Sequence, residues 1–235
     1  MLPKALFFDL DDTIISFDAG SEPAWVTVCD EFCKKYGSYD PEILLGAINE
    51  YRKWFWSDKE RHRIGRNNMN EARRDIVAGA FERLSFNNRE HAFEIADNYS
   101  RLRLLNLELF PKAAETLESL RKLELRLALI TNGDSYSQRY KIEKFDLEKY
   151  FDLILVEGEL GFGKPDPRVY EKALCDMGVL PGDVWMIGDN LDWDVASPQK
   201  LGIFSIWVDF KHKGLPVGSK VRPDRIISNI AKLLE

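Results

Sequence analysis

A chain of 235 residues holds one large domain, or a core with a modest second domain, and buries a hydrophobic core without disulfide or metal staples. Hydrophobic residues at 45% and charged residues at 31% exclude a disordered or fibrous chain, and a formal net charge of −6 with a pI of about 5.3 excludes a general nucleic-acid binder, whose footprint is basic. Three cysteines, Cys29, Cys33 and Cys175, make neither an even disulfide framework nor a zinc-ligand set; they read as the thiols of a protein of the reducing cytoplasm.

From the N-terminus, Met1-Leu-Pro-Lys4 leads into the apolar run 5–8, too short for a signal peptide or a membrane span but suited to a buried strand. The polar stretch Asp9-Leu-Asp-Asp-Thr13 follows. The next ninety or so residues read as all-helical, with helices expected over 22–36, 41–56, 70–84 and 89–105, broken by Gly37, by 65–68 and by Asn87-Asn88. Cys29 and Cys33, four apart in the first of these, fill a core face. The chain leaves this interval near Phe110-Pro111. Beyond it, apolar runs at 127–130, 153–156, 184–187 and 204–208 alternate with helical patterns at 113–123, 138–144 and 167–177. Apolar strands alternating with helices specify an α/β fold, a Rossmann-like parallel five-stranded core sheet over 1–15 and 108–235 with an inserted all-helical domain over 16–107. Neither an internal repeat nor a low-complexity segment interrupts it.

The chemistry-bearing residues fall directly after strands. Asp9, Asp11, Asp12 and Thr13 follow the first, Thr131, Asn132 and Gly133 the second, and Gly188, Asp189 and Asn190 the fourth, while Lys164, in Gly163-Lys-Pro-Asp166, lies in the loop after the third. Open α/β sheets place ligands at the carboxyl ends of their strands, so these residues are expected to converge on one site. Taken singly each has a plainer reading, as a helix cap, a turn or a solvated loop lysine. Their joint occurrence, each group after a different strand, points to chemistry.

Carboxylates without a cysteine or histidine cluster make a hard, oxygen-rich site suited to Mg²⁺. The Thr131 hydroxyl, the Lys164 ammonium and backbone N–H groups near Asn132-Gly133 suit a phosphoryl group on which charge develops. Two carboxylates as close as Asp9 and Asp11 must divide the work. Asp9, held ionised by the metal, is expected as the nucleophile that forms an aspartyl phosphate, and Asp11 as the acid that protonates the leaving group and then the base that deprotonates water.

These residues resemble the motifs of the haloacid dehalogenase superfamily. Asp9-Leu-Asp-Asp-Thr13 looks like its Asp-x-Asp-x-Thr motif, Thr131-Asn-Gly133 like its second motif, Lys164-Pro165 like its third, and Gly188-Asp189 with Asp194 like its fourth, so that the resemblance spans nearly the whole chain. It implies that Asp9 and Asp189 hold Mg²⁺ by their side chains and Asp11 by its backbone carbonyl, and that Asp194 supports the metal's waters. It also implies that the helical insert is a cap closing over the site, as in the branch similar to phosphoglycolate, sugar-phosphate and nucleotide phosphatases. One departure is Lys112, where many relatives have Gly after the Pro that re-enters the core.

The expected function is therefore Mg²⁺-dependent hydrolysis of a small phosphorylated metabolite, in a cytoplasmic monomer or homodimer with no nucleic-acid or membrane partner. Asp11 argues against dehalogenation and phosphonate cleavage, which lack that acid in this family. A phosphomutase of the same fold is the nearest alternative, differing in how water is excluded. A receiver-like phospho-binding module is more distant, because its phosphorylated aspartate follows a middle strand. No Gly-x-Gly-x-x-Gly follows the first strand, and His62, His91 and His212 are scattered without a nucleophile partner. For reading the rest of the substrate, the aromatic and arginine-rich segment 54–66 and the residues just after it supply Trp56, Arg66 and Arg74, suited to stacking on a ring or pairing with an acidic group.

Overall fold

Four consecutive apolar residues leave no side facing water, so they suit a strand covered on both faces, and Ala5–Phe8 forms such a strand, β1, with every residue buried. The computed structural model describes residues 3–37 and 39–235. These divide into two units: an α/β unit made of the chain up to Phe17 together with Glu108–Glu235, and a helical unit, Asp18–Leu107.

In the α/β unit, the short strand β2 (Ile15–Ser16) pairs antiparallel with β3 (Glu108–Leu109), so the two points where the helical unit joins are tied into one ribbon; five helices, α1 to α5, lie between Ser21 and Leu105. After β3 come α6 (Ala113–Lys122), β4 (Arg126–Thr131), α7 (Ser135–Lys144), β5 (Leu153–Val156), the single turn α8 (Glu157–Leu160), α9 (Pro167–Met177), β6 (Val184–Gly188), a π-helical turn Leu191–Ala196 running into α10 (Ser197–Gln199), β7 (Phe204–Val208) and β8 (Arg225–Ile227). Strands β5-β4-β1-β6-β7-β8 make one parallel sheet. From β1 the chain builds outward through β4 and β5 on one side, then crosses to β6, β7 and β8 on the other. The reversal opens a crevice at the carboxyl ends of the central strands. One face of the sheet is covered by the apolar stripe of α9, whose Val169, Tyr170, Ala173 and Leu174 pack with Phe7, Ala128, Ile130 and Met186. Asp166 caps α9 by accepting from Arg168 N–H, Pro167 occupies its first turn, and Gly178 in the left-handed region ends it.

The five apolar runs of the sequence are five strands of this sheet. The sixth, β8, departs from the five-stranded expectation. It has three residues, one of them Arg225, and only Ile227 is buried, so an edge strand this short carries no apolar run to read. Lys112 takes the left-handed conformation, with φ of 64°, just ahead of α6, so the backbone shape a glycine would provide is present here with a side chain on it.

The helical unit contains α1 (Ser21–Tyr36), α2 (Pro41–Ser57), α3 (Lys59–Arg66), α4 (Met69–Arg83) and α5 (Arg89–Leu105). The expected four are joined by α3, which lies in a nearly all-polar stretch without apolar periodicity. Asp58 starts it by accepting from Glu60 and Arg61 N–H. Gly65, expected as a break, lies inside α3 because there is no room for more: a Cβ there would stand 2.9 Å from the Phe55 ring and 3.1 Å from that of Trp56. The core of the unit joins Trp25, Phe32, Ile48, Ile76, Phe81 and Ile95, with Trp25 stacked on Tyr99 at 3.7 Å. Cys29 and Cys33 are part of it, and burial pushes the Cys29 thiol up to about 12, which suits a small core-filling residue. Among the described residues, no helix is long and apolar enough to cross a membrane.

Phe81 is buried and meets Phe32, Tyr39 and Phe86, so truncating it opens a cavity that rings cannot easily close. Phe81→Ala is expected to cost about 3–5 kcal/mol, read as a lowered midpoint in urea denaturation followed by far-ultraviolet circular dichroism.

Candidate active site

Sheet register decides which polar residues meet. Phe8, the last residue of β1, lies beside Leu129 of β4 and Ile187 of β6, so the three strands end within two residues of one level. Asp9, the first residue after β1, donates its N–H to Ile187 O at 2.9 Å, which sets it beside Gly188. Thr131 ends β4 and Asp189 follows β6.

Lys164 fills the centre of this crevice. Its ammonium is 2.7 Å from Asp9 Oδ1 and 2.7 Å from Asp194 Oδ1, and its side chain is 1% exposed. Thr13 Oγ1 donates to the other Asp9 oxygen, Oδ2, at 3.2 Å, which fixes the plane of that carboxylate. Asp194, on the π-helical turn, accepts through Oδ2 from Asn190 N–H at 3.0 Å. Gly188 makes that approach possible, because a Cβ there would lie 2.2 Å from Asp194 Cγ.

Asn132 acts on Lys164 from behind. Its Nδ2 donates to Lys164 O at 2.6 Å and its Oδ1 accepts from Lys164 N–H at 2.8 Å, so both ends of the amide are spent on one backbone residue. The expectation of an available backbone N–H at Gly133 is corrected by the structure. That group donates to Glu157 Oε2 at 3.0 Å, a buried carboxylate that follows β5 directly and needs a donor. Gly158 keeps this loop close, since a Cβ on it would stand 2.6 Å from Ser135 N.

Asp11 turns elsewhere. Its carboxylate oxygens lie 2.8 and 2.7 Å from Lys141 Nζ, and Oδ2 accepts from Gln138 Nε2 at 3.1 Å; both partners are buried on α7. Gln138 Nε2 also donates to Thr131 Oγ1. Sequence reading passed over Gln138 and Lys141 as parts of a helix. The signal was a glutamine and a lysine three apart on the face that carries buried Ile142, where an amphipathic pattern calls for apolar residues.

Carboxylate oxygens of Asp9, Asp189 and Asp194 lie within 4.8 Å of one another. Burial pushes Asp9 up to about 7, with the Asp194 charge adding to it and Lys164 opposing it. Asp189 is pushed up to about 9, again by burial first and then by the charges of Asp9 and Asp194. For Lys164 burial works toward the neutral amine, yet Asp194 and Asp9 together hold it above the usual lysine range. Three crowded carboxylates with one ammonium cannot all ionise without further positive charge, and an all-oxygen donor set of this kind fits a hard divalent cation such as Mg²⁺. The Asp11 carboxylate is not part of this group.

The residues expected to read the substrate lie in the helical unit. Arg74 makes the bidentate carboxylate pairing its residue type suggests, but to Asp97 of the same unit, at 2.9 and 2.8 Å, with Glu71 at 2.9 Å. Its fork is thereby engaged on two carboxylates of its own unit. Trp56 packs edge-on to Phe55 and His62, and Arg66 ends α3.

A family model described as haloacid dehalogenase-like hydrolase matches residues 3–202. A phosphoserine phosphatase of Thermus thermophilus is 36% identical over 179 residues, which span 76% of this chain and 65% of that protein. The N-acylneuraminate-9-phosphatase of Rattus norvegicus is 30% identical over 98% of this chain and 92% of its own. A glyceraldehyde 3-phosphate phosphatase of Pyrococcus furiosus is 25% identical over 99% of this chain and 92% of its own. Among solved structures, the HAD-hydrolase YfnB of Bacillus subtilis superposes with a TM-score of 0.72 over 99% of this chain and 97% of that one; at 20% identity this likeness speaks for the fold alone.

The close approach at Gly188 can be tested on its own. Gly188→Ala must displace Asp194 from Lys164 or shift the end of β6, and is expected to cost about 1–3 kcal/mol, measured as a lowered midpoint in chemical denaturation.

Proposed function

The chain belongs to the haloacid dehalogenase-like hydrolases and is a phosphoric monoester hydrolase, and we propose that it cleaves a small phosphorylated metabolite through an aspartyl phosphate formed on Asp9. The observation that carries this reading is the buried Lys164 ammonium held on Asp9 at the carboxyl edge of the sheet, within a group of crowded carboxylates. A carboxylate fixed on one oxygen by an ammonium and on the other by a hydroxyl keeps a constant aim, as a nucleophile requires.

In this reading an Asp9 oxygen attacks phosphorus, the new O–P bond forms, and the P–O bond to the leaving group breaks. Asp11 gives its proton to the departing oxygen. A water then loses a proton to Asp11 and attacks the same phosphorus, and the Asp9 carboxylate leaves as inorganic phosphate is released. Thr131 Oγ1 accepts from Gln138 and donates to Asn132 O at 3.5 Å, a long contact that the hydroxyl can exchange for a phosphoryl oxygen, and Lys164 supplies positive charge beside it. Asp9, Asp189 and Asp194 with the Asp11 carbonyl are the groups proposed to hold or orient Mg²⁺, whose charge would keep Asp9 ionised and neutralise the phosphoryl oxygens.

Asp9→Asn is expected to abolish phosphate release, because an amide cannot form the acyl phosphate. The assay is inorganic phosphate released from a panel of phosphoserine, N-acylneuraminate 9-phosphate, glyceraldehyde 3-phosphate and pyrimidine 5′-nucleotides, with no bisphosphate added. Activity of the variant above roughly a tenth of wild type on the best substrate would overturn the mechanism.

Metal binding should be linked to protons. Asp9 and Asp189 have raised values in the metal-free protein, so their neutral forms contribute stability that is present at low pH and lost as pH rises through about 7 and about 9. Mg²⁺ replaces those protons, so the rise in thermal midpoint on adding saturating Mg²⁺ is expected to be larger at pH of about 9 than at about 6. An equal shift at both would count against these carboxylates as the ligands.

A further inference from the structure

Asp11 has partners that the chemistry assigned to it leaves unexplained. Its side chain is only 25% exposed, and three hydrogen bonds reach it from one element, α7: two contacts from Lys141 Nζ and one from Gln138 Nε2. Lys141 is 3% and Gln138 2% exposed. An ammonium is costly to bury, and an apolar side chain would anchor α7 to the sheet without that cost. Lysine at this position therefore points to its charge, whose neighbours are Asp11, Gln138 Oε1 at 2.7 Å and the ring of Phe17, 4.1 Å from the ring centre.

The spacing of the pair sets its geometry. Residues three apart on a helix share a face, so Gln138 and Lys141 meet each other and the same carboxylate. Because Gln138 Oε1 accepts from Lys141, its NH₂ must point the other way; a flipped amide would set NH₂ against the ammonium. Both hydrogens of that NH₂ are used, one on Asp11 Oδ2 and one on Thr131 Oγ1. One amide thus spans the carboxylate that follows β1 and the hydroxyl that ends β4, and the lysine locks the amide.

We propose that Lys141 and Gln138 are positioning residues, a clamp on α7 that holds the Asp11 carboxyl at a fixed place relative to the hydroxyl of Thr131: Oδ2 stays on Lys141 and Gln138, and Oδ1, giving up its contact with Lys141, carries the proton that is delivered to the leaving oxygen. The proposal rests on the reading of Asp11 as the acid. Neither residue touches the reacting atoms; they act through Asp11. Their loss affects those esters whose leaving group must be protonated and spares those whose leaving group departs as a stable anion. General disorder of the site would slow both alike.

The test compares kcat/KM, which covers the steps through ester cleavage, for phenyl phosphate and 2,4-dinitrophenyl phosphate in wild type, Asp11→Asn, Lys141→Met and Gln138→Leu, with folding checked by circular dichroism. Asp11→Asn is expected to lose about 10²–10⁴-fold on phenyl phosphate and far less on the dinitrophenyl ester, the pattern of a lost acid. Lys141→Met and Gln138→Leu should show the same pattern in milder form, with a loss on phenyl phosphate at least about tenfold greater than on the dinitrophenyl ester. If Asp11→Asn discriminates between the esters and the two α7 variants do not, the clamp is overturned while the acid assignment stands. If Asp11→Asn itself does not discriminate, both fall. Should Lys141→Met fail to fold, Gln138→Leu, which removes no charge, decides the question by the same criterion.

Discussion

One ammonium, that of Lys164, makes the centre of the α/β unit possible. Asp9, Asp189 and Asp194 arrive from the ends of different elements and crowd together where burial disfavours their charge. Isolated charges in such a place are not tolerated; a cation hydrogen-bonded to two of them changes the balance, and the attraction is strong in both directions, since the same carboxylates hold Lys164 charged. Much of the surrounding structure can be understood as holding this lysine still. Asn132 grips its backbone from the end of β4, Gly163 before it has no space for a side chain, with Asn132 Oδ1 2.5 Å from where a Cβ would be, and Gly188 lets Asp194 approach. Removing Asn132 leaves the backbone N–H and C=O of Lys164 without these partners, and a side chain at Gly163 or Gly188 pushes against the groups that pair with the lysine.

The parts of this design that repeat along the chain were legible in the sequence. Apolar runs of four or five residues have only one way to be covered on both faces, so 5–8, 127–130, 153–156, 184–187 and 204–208 could be placed in strands, and the polar residues that follow three of them could be placed at one edge. Elements without a period were not legible. β8 is short and charged, α3 is polar all round, and the ribbon of β2 and β3 has two residues a side. Gly65 shows the limit of reading glycine as a break, because what selects it is a neighbouring aromatic ring that sequence does not place.

Partner choice was the least legible layer. Arg74 was expected to grip an acidic group of the substrate, and only the fold reveals that Asp97, on the next helix, already pairs with it in two places. Gly133 was read as an available donor, and only the fold brings Glu157 under it. Lys141 shows the reverse error. A lysine in a helix is solvated by default, and although Lys141 shares its face with Ile142, only the fold shows that face turned inward against a carboxylate 130 residues away.

The turn after β1 explains why neighbouring aspartates find different cations. In a continuing strand Asp9 and Asp11 would project from the same face, two residues apart, and compete for one partner. The chain instead folds back at once. Leu10 O accepts from both Ile14 and Ile15 N–H, and Asp12 takes a φ of 58°, a left-handed conformation that aspartate tolerates better than most residues, with its Oδ1 accepting from Phe17 N–H. That reversal sends the Asp11 side chain toward α7 while Asp9 stays with Lys164. Two carboxylates held by two separate ammonium groups, one from the loop after β5 and one from α7, are no longer chemically equivalent, although they share a motif. On the proposed mechanism that inequivalence is what the reaction needs, because the nucleophile must keep its negative charge while the acid gives up a proton beside it. A tight turn, held by backbone hydrogen bonds to Leu10 O and by the Asp12 and Thr13 side chains, separates the two tasks before any substrate arrives.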